Sequence, residues 1–464
     1  MPIINDLDIR GQFRDAADFY ARQINCCGHT LTVYAIDGLT SGSDISQYII
    51  KPIREFLWGK GMQTLYEQAL LGSVVNAVAR ECKDCADAAS FLVNGFCVVL
   101  FPGVGAIAFE AKTGEKRSIS TPELENTAKG AKDAFVETVR TNTSLLRRHL
   151  RTPDLRLREV IVGRRTLTNV TVAWIEGHTN PEYVSRVTKR LENLDLDGLL
   201  TPAAMEEYLT GSRFTAFPLL QYTQRTDRFC QGLLDGRVGL FADGIPLGYL
   251  VPVDIGYLMS SMEDYSRDFV TASATKILRY LALLLDLLLP ALYVAMTTYH
   301  WNLLPASIAQ VIAQGRVNVP FSPVWEILML LAAFELLQES GVHLPQSIGQ
   351  SVSIIGGIVV GTVGVEAGLI SSLALICVSV AGVCGFVLPN RDLADAIRVW
   401  RFLLAVLASA FGLWGILVSV QALIIRLATL KSLGLSYLRP FESGLVRGRL
   451  QKTQRKDMDG GSGG

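Results

Sequence analysis

The chain has 464 residues, and its 43 Lys and Arg balance 43 Asp and Glu, so its formal net charge is zero. Half of the residues are hydrophobic and the mean hydropathy is +0.32. This composition excludes a disordered, collagen-like or disulfide-scaffold chain. A nucleic-acid partner would call for a strongly basic domain, and the neutral balance supplies none.

The opening residues Met1–Arg10 are polar and acidic, without the apolar stretch of a signal peptide. A cytoplasmic head with reduced thiols is therefore expected. Cys82-Lys-Asp-Cys85 has metal or redox spacing, but no second pair or His lies at finger distance. Free thiols are expected, with no bound metal and no cofactor.

Thr32-Val-Tyr-Ala-Ile-Asp-Gly38 is a β-rich run that ends in an acidic-Gly turn. Thr171-Val-Ala-Trp-Ile-Glu-Gly177 repeats it 139 residues later. Asn94-Gly95 leads into Cys97–Phe101 as Asp235-Gly236 leads into Val238–Phe241, at an offset of 140 to 141. Two echoes at nearly one offset predict two α/β subdomains, near 24–125 and 160–255. Gly103-Val-Gly105-Ala-Ile-Ala108 mimics a dinucleotide fingerprint, but the residues after it alternate like a hairpin instead of opening a helix. No Walker A, His-Glu-x-x-His or nucleophile-elbow pattern occurs, and the five His are not paired at ligand spacing. The chain reads as a non-enzyme.

Between the echoes, Leu124–Leu150 reads as a helical stretch with an Arg-rich end. Its arginines can pair with the chain's own Asp and Glu, or meet lipid headgroups, an acidic neighbouring subunit or, least of all, nucleic acid. For subunit contact the candidates are Arg147, Arg148, Arg151, Arg164 and Arg165.

From Ile277 to Leu427 only 13 of 151 residues are charged, against 73 of the other 313. Four runs have the roughly 20 apolar residues that span a bilayer: Ile277–Tyr299, Ser347–Val365, Gly368–Leu388 and Phe402–Ile425. Val324–Leu337 is shorter and carries Glu326 and Glu335, so it reads as re-entrant, interfacial or buried. Arg267, Lys276 and Arg279 before the first run, and the basic tail after Lys431, place both ends in the cytoplasm and call for an even number of crossings. Arg391, Arg398 and Arg401 resist that scheme, because four crossings would put them outside.

Ionisable residues inside a membrane segment default to function. Asp286, Glu326, Glu335 and Glu366 are those candidates. Gly357, Gly361 and Gly364 recur at spacings of four and three, a smooth face for close helix packing. Val359, Thr362, Val363 and Glu366 fall on other faces of that stretch and are the pore or gate candidates. An apolar ring gates by dewetting, and a Glu ring favours cations.

A set of ordered motifs points to a family. Arg140-Thr-Asn-Thr-Ser-Leu-Leu-Arg-Arg148 continues into Arg-Thr-Pro-Asp-Leu155, and Val162-Gly-Arg-Arg165 precedes Trp174-Ile-Glu-Gly177 and Asn180-Pro-Glu182. Leu194-Asp-Leu-Asp-Gly198, Phe217-Pro and Gln224-Arg-Thr-Asp-Arg228 follow. The apolar part adds Leu289–Thr298, Leu344-Pro-Gln-Ser-Ile-Gly349 and Val365-Glu-Ala-Gly-Leu369. From about Ile24 to Pro440 the chain resembles the A subunits of the GerA family of bacterial spore germinant receptors.

The resemblance implies a homo-oligomeric ring, taken as a pentamer, in the inner membrane of the endospore. It implies a transporter-like B subunit that binds nutrient and a lipoprotein C subunit as partners. Membrane helices of the ring would surround a path for monovalent cations that opens on nutrient binding. A SpoVAF-like accessory channel and a non-conducting scaffold are the alternatives. The expected fold class is an α/β soluble head made of two duplicated subdomains, followed by an α-helical transmembrane domain. Its expected parts are 1–125, a linking helix in 126–159, 160–270, a transmembrane part at 271–430 and a basic tail at 431–464.

Overall fold

In the computed structural model, residues 4–26, 28–56, 61–74, 78–113, 122, 125, 130–199, 202–211, 215–343 and 359–438 are described. Gly357 and the basic tail beyond residue 438 lie outside them, as does the side chain of Val359.

The N-terminal sheet holds β1 (Phe19–Cys26), β2 (His29–Ile36), β3 (Ala79–Cys82), β4 (Phe96–Phe101) and β5 (Gly105–Glu110), in the order β1-β2-β4-β5-β3. All its paired strands are antiparallel. Strand side chains alternate between faces. Leu31, Val33 and Ala35 of β2 join one apolar layer with Ile45, Ile49, Ile53 and Leu65. Tyr34 and Ile36 join the other with Ile9, Phe13, Ala88 and Leu92. Helices cover both faces, which is why β2 reads as one unbroken β-rich run. Gly103 and Gly105 belong to the β4–β5 hairpin, with Phe101 opposite Gly105. The fingerprint mimic is therefore a turn, as its alternation predicts.

The next sheet repeats this topology. It holds β6 (Leu155–Val162), β7 (Thr168–Ile175), β8 (Gln221–Thr223), β9 (Val238–Ala242) and β10 (Gly248–Val251), in the order β6-β7-β9-β10-β8. Strand β7 begins 139 residues after β2, the offset read from the sequence. Helix α1 (Cys85–Val93) joins β3 to β4, and helix α2 (Thr226–Leu234) joins β8 to β9. Strand β6 begins five residues before position 160, inside the range expected to link the subdomains, because its first half pairs with the end of β7. The linking helix itself, α3 (Val139–His149), is shorter than expected.

Both sheets lie in one compact unit, Met1–Arg213 with Leu220–Pro252, and the remainder, Phe214–Leu219 with Val253–Gly464, forms the other. In the sheet unit, Arg147 of α3 joins the two subdomains. Its Nε and second guanidinium nitrogen donate to Asp18 at 2.7 and 2.9 Å, and both side chains are buried. Arg147 also donates to the Thr152 carbonyl at 3.3 Å. Of the readings open to it, Arg147 takes pairing within its own chain and not subunit contact: a guanidinium removed from water needs a carboxylate beside it, and Asp18 supplies it.

The other unit is helical. Helix α4 (Phe269–Thr298) continues through Pro290 for 30 residues, about 45 Å at the α-helical rise. Among the described residues it is the one helix long and apolar enough by itself to cross a membrane. Helix α5 (Pro323–His343) extends the short Glu-bearing run at both ends to 21 residues. Among the described residues, helices α6 (Ser372–Phe386), α7 (Arg391–Phe411) and α8 (Leu413–Thr429) also belong to the bundle.

The run Phe402–Ile425, expected as one span, is broken into α7 and α8 at Gly412. Its φ of 61° is the left-handed region, and a Cβ there would stand 2.7 Å from the His300 ring. Phe217 touches both Trp400 of α7 and Tyr437 beyond α8, so the chain folds back on itself. Ile255 donates to the Tyr437 carbonyl at 3.0 Å, which brings the approach to α4 and the exit from α8 to one end of the bundle.

Candidate functional site

The helical unit is inside-out compared with a water-soluble protein. Leu281, Val399, Trp414, Leu417 and Ile425 face outward, while Asp286, Glu326 and Arg401 are buried. Outward apolar surface on this scale marks contact with something other than water.

Contacts set the helix directions. Asp286 of α4 and Tyr299 just past its end meet Arg401 and the Ser409 and Ala410 carbonyls of α7, so these helices run parallel. Tyr293 of α4 meets Ser371 at the start of α6, and Asp286 lies beside Gly385 near its end, so α6 runs the opposite way. Glu326 of α5 accepts from the Ser371 amide, and Glu335 meets Arg401, so α5 runs with α6.

These directions bring four charges together. Arg401 donates to Asp286 at 2.5 Å and to Glu335 at 2.8 Å, tying three helices through one guanidinium. Arg398, one turn earlier on α7, stands 3.6 Å from the other Glu335 oxygen and 3.0 Å from Asp395. Asp286 is fully buried, and its second oxygen has no hydrogen-bond partner among the described residues. Gly385 makes room for that oxygen: a Cβ there would stand 3.3 Å from it. Glu326 lies elsewhere, at the N-terminus of α6, where a carboxylate suits the helix dipole.

Three intramembrane acids read from the sequence thus divide into a charge network (Asp286 and Glu335) and a helix-end contact (Glu326). Arg398 and Arg401 were legible only as misplaced charges. Their clue was balance: two cations one turn apart answer two carboxylates stranded in apolar helices. Nothing local pairs Arg401 with Asp286, which lies 115 residues away.

The gate candidates sit on a separate short stretch, Val359–Val363 wound as a π-helix and Gly364–Glu366 continuing it. Gly361 is buried, and a Cβ on it would meet Leu375 of α6 at 3.4 Å. Gly364 lies against Ile370. Thr362, Val363 and Glu366 are exposed. The stretch therefore has a close-packed glycine side and an open side that carries a hydroxyl, an isopropyl group and a carboxylate.

Of the basic cluster, Arg148 is half-buried and Arg151, Arg164 and Arg165 are exposed. Arg164 pairs with Asp195 at 2.6 Å, with both side chains exposed, a contact of small energetic weight. His149 ends α3 and lies 2.6 Å from Asp133 and 3.2 Å from the Thr226 hydroxyl. The Asp133 hydrogen bond raises His149 above its ordinary value, against a smaller opposing effect of burial. Burial acts to raise Asp133, but the His149 and Thr226 hydrogen bonds and the His149 charge outweigh it and hold the carboxyl at about 2.

The sign of the pH effect follows from linkage. The His149 contribution to stability is complete below about pH 6.5 and disappears as pH rises through its elevated value. The Asp133 contribution is complete above about pH 3.8 and disappears towards pH 2. Thermal unfolding of the wild-type protein at pH 6 and pH 8.5 should therefore show a decrease that His149→Gln lacks. Equal decreases in both proteins would remove His149 as its source.

The profile of the Bacillus/Clostridium GerA spore germination protein family matches residues 8–456. Membrane protein YfkQ of Bacillus subtilis is 35% identical over 89% of this chain and 81% of its own length. Spore germination protein B1 of the same organism is 33% identical over 87% and 84%, and spore germination protein A1 is 34% identical over 75% and 73%. The crystal structure of the N-terminal domain of the A subunit of the Bacillus megaterium spore germinant receptor GerK3 aligns at 24% identity. It covers 53% of this chain and 91% of that domain, with a TM-score of 0.41. By the match along nearly its whole length, the chain belongs to the GerA family of spore germination proteins.

Proposed function

We propose that this chain is the A-type membrane subunit of a spore germinant receptor. Several copies, five by analogy with the family, form a ring in the inner spore membrane with their heads in the cytoplasm. The open side of the stretch at Val359–Glu366 lines a path for monovalent cations, and nutrient captured by a transporter-like B subunit opens it. A lipoprotein C subunit completes the receptor.

The observation that carries this reading is the short helical stretch itself. Its glycine side packs against α6, and it leaves Thr362, Val363 and Glu366 exposed, whereas Asp286, Glu326 and Arg401 of the same unit are buried. In a ring, such a side faces the axis or a neighbouring copy. Apolar Val363 then blocks water and ions when closed, and Glu366 attracts cations when open.

Val363→Ser should wet the constriction and release K+ from spores without nutrient. Glu366→Lys should slow nutrient-triggered K+ release by roughly tenfold or more, the effect of ~1.4 kcal/mol on a barrier. Normal K+ release from both variants, with the protein present at wild-type level, would remove this stretch from the path. The Arg147–Asp18 joint, which ties the two subdomains of the head together, favours a second reading as a non-conducting scaffold. Absence of cation flux from purified rings in liposomes would select the scaffold.

A further inference from the structure

We infer that Arg401 is a positioning residue for the proposed gate, holding α5 in a closed register that opening releases by passing Glu335 to Arg398. The inference rests on the channel reading for its output. Its own basis is the charge network.

One guanidinium serves two carboxylates from two helices, Asp286 at 2.5 Å and Glu335 at 2.8 Å, and satisfies neither fully. Among the described residues, the second Asp286 oxygen and Arg401 Nε make no hydrogen bond. Glu335 already has another cation at 3.6 Å, Arg398, one helical turn away on the same helix. A slide of α5 along α7 by at most about 4.5 Å, the rise over the three residues from Arg401 to Arg398, would hand Glu335 from Arg401 to Arg398. Arg401 could then turn both arms to Asp286. Every charge stays paired, so the slide avoids the large cost of leaving an ion unpaired away from water. Helix α5 also meets the start of α6 through Glu326 and the Ser371 amide, and α6 carries the Leu375 against which Gly361 of the stretch packs. A shift of α5 therefore has a route to the gate by contact through α6.

The two arginines then have opposite roles, which a purely structural network would not give them. Removing Arg401 favours the open register, and removing Arg398 deprives the open register of its partner. In spores that carry the full chain as their A subunit, Arg401→Gln should raise germination without nutrient by about 5- to 150-fold, the usual range of coupling between sites. Because this variant strands Asp286, Asp286→Asn/Arg401→Gln is measured beside it and should show the same gain. Arg398→Gln removes a partly exposed side chain. It should raise the nutrient concentration needed for half-maximal germination, with no change in protein level.

Shifts in the same direction, or no shift in either position at normal protein level, would overturn the inference. If both Arg401 variants are lost from the membrane, Arg398→Gln alone decides: a reduced nutrient response supports the register exchange, and an unchanged or increased response overturns it. K+ flux from the reconstituted chain separates the two readings. Opposite shifts without flux would sink the channel and leave the positioning role, whereas flux without opposite shifts would do the reverse.

Discussion

Arg147→Met should destabilise the head of this protein by about 3–5 kcal/mol, the cost of leaving a buried carboxylate without its partner. Asp18 and Arg147 are both removed from water, and each contributes two atoms to a bidentate pair. Once the guanidinium is gone, Asp18 must either keep its charge in an apolar joint or take up a proton. The double variant Asp18→Leu/Arg147→Met removes both charges and should recover a large part of the loss, because burying two apolar groups of similar size requires no desolvation of ions. Denaturant unfolding of the full chain in detergent, followed by circular dichroism of its sheets, measures all three proteins. Equal destabilisation of the single and double variants would mean that the joint is held by packing and not by charge. The Ser144 hydroxyl, which donates to the Gly38 carbonyl at 2.8 Å across the same joint, should matter far less, since it is one neutral hydrogen bond.

The other large effect is expected at Phe229. Its ring is fully buried in the second subdomain, stacked on Phe241 at 4.4 Å and edge-on to Phe135 at 5.3 Å. Phe229→Ala should cost about 3–5 kcal/mol through lost burial and a residual cavity. The ring explains two glycines. A Cβ on Gly239 of β9 would collide with the tip of the Phe229 ring, and one on Gly248 of β10 would stand 2.6 Å from its edge. Gly239→Ala should therefore cost about 1–3 kcal/mol by overpacking. The double variant Phe229→Ala/Gly239→Ala should be less damaging than the sum of the two, because the added methyl occupies space the ring has left. Strict additivity would show that Gly239 answers to something other than Phe229.

Much of the head is legible in its sequence. The Asp-Gly and Glu-Gly turns, the β-rich runs that precede them and the 139-residue offset are local patterns, and strand order repeats as they imply. The failure of the glycine fingerprint is equally local, since the alternation after Gly105 belongs to a hairpin. In the apolar block the signal is weaker. Hydropathy reads Phe402–Ile425 as one span because residues on both arms of a helical hairpin are apolar. It cannot see that the Gly412 backbone turns back. The glycines of the gate stretch are visible as a pattern, yet what they pack against, Leu375 and Ile370, is not.

Charge shows the same division. By itself the sequence determined that a neutral total hides a charge-dense head and a nearly uncharged block, and that the few ions left in that block need an explanation. It also determined the family, through motifs distributed along almost the whole chain. Only the tertiary structure decided which ions answer one another: Arg147 with Asp18 across 129 residues, and Arg401 with Asp286 across 115. The physical reason is range. Turns and periodicity are written by neighbours in sequence, whereas the energy of a buried ion depends on whichever opposite charge the fold brings within about 3 Å of it.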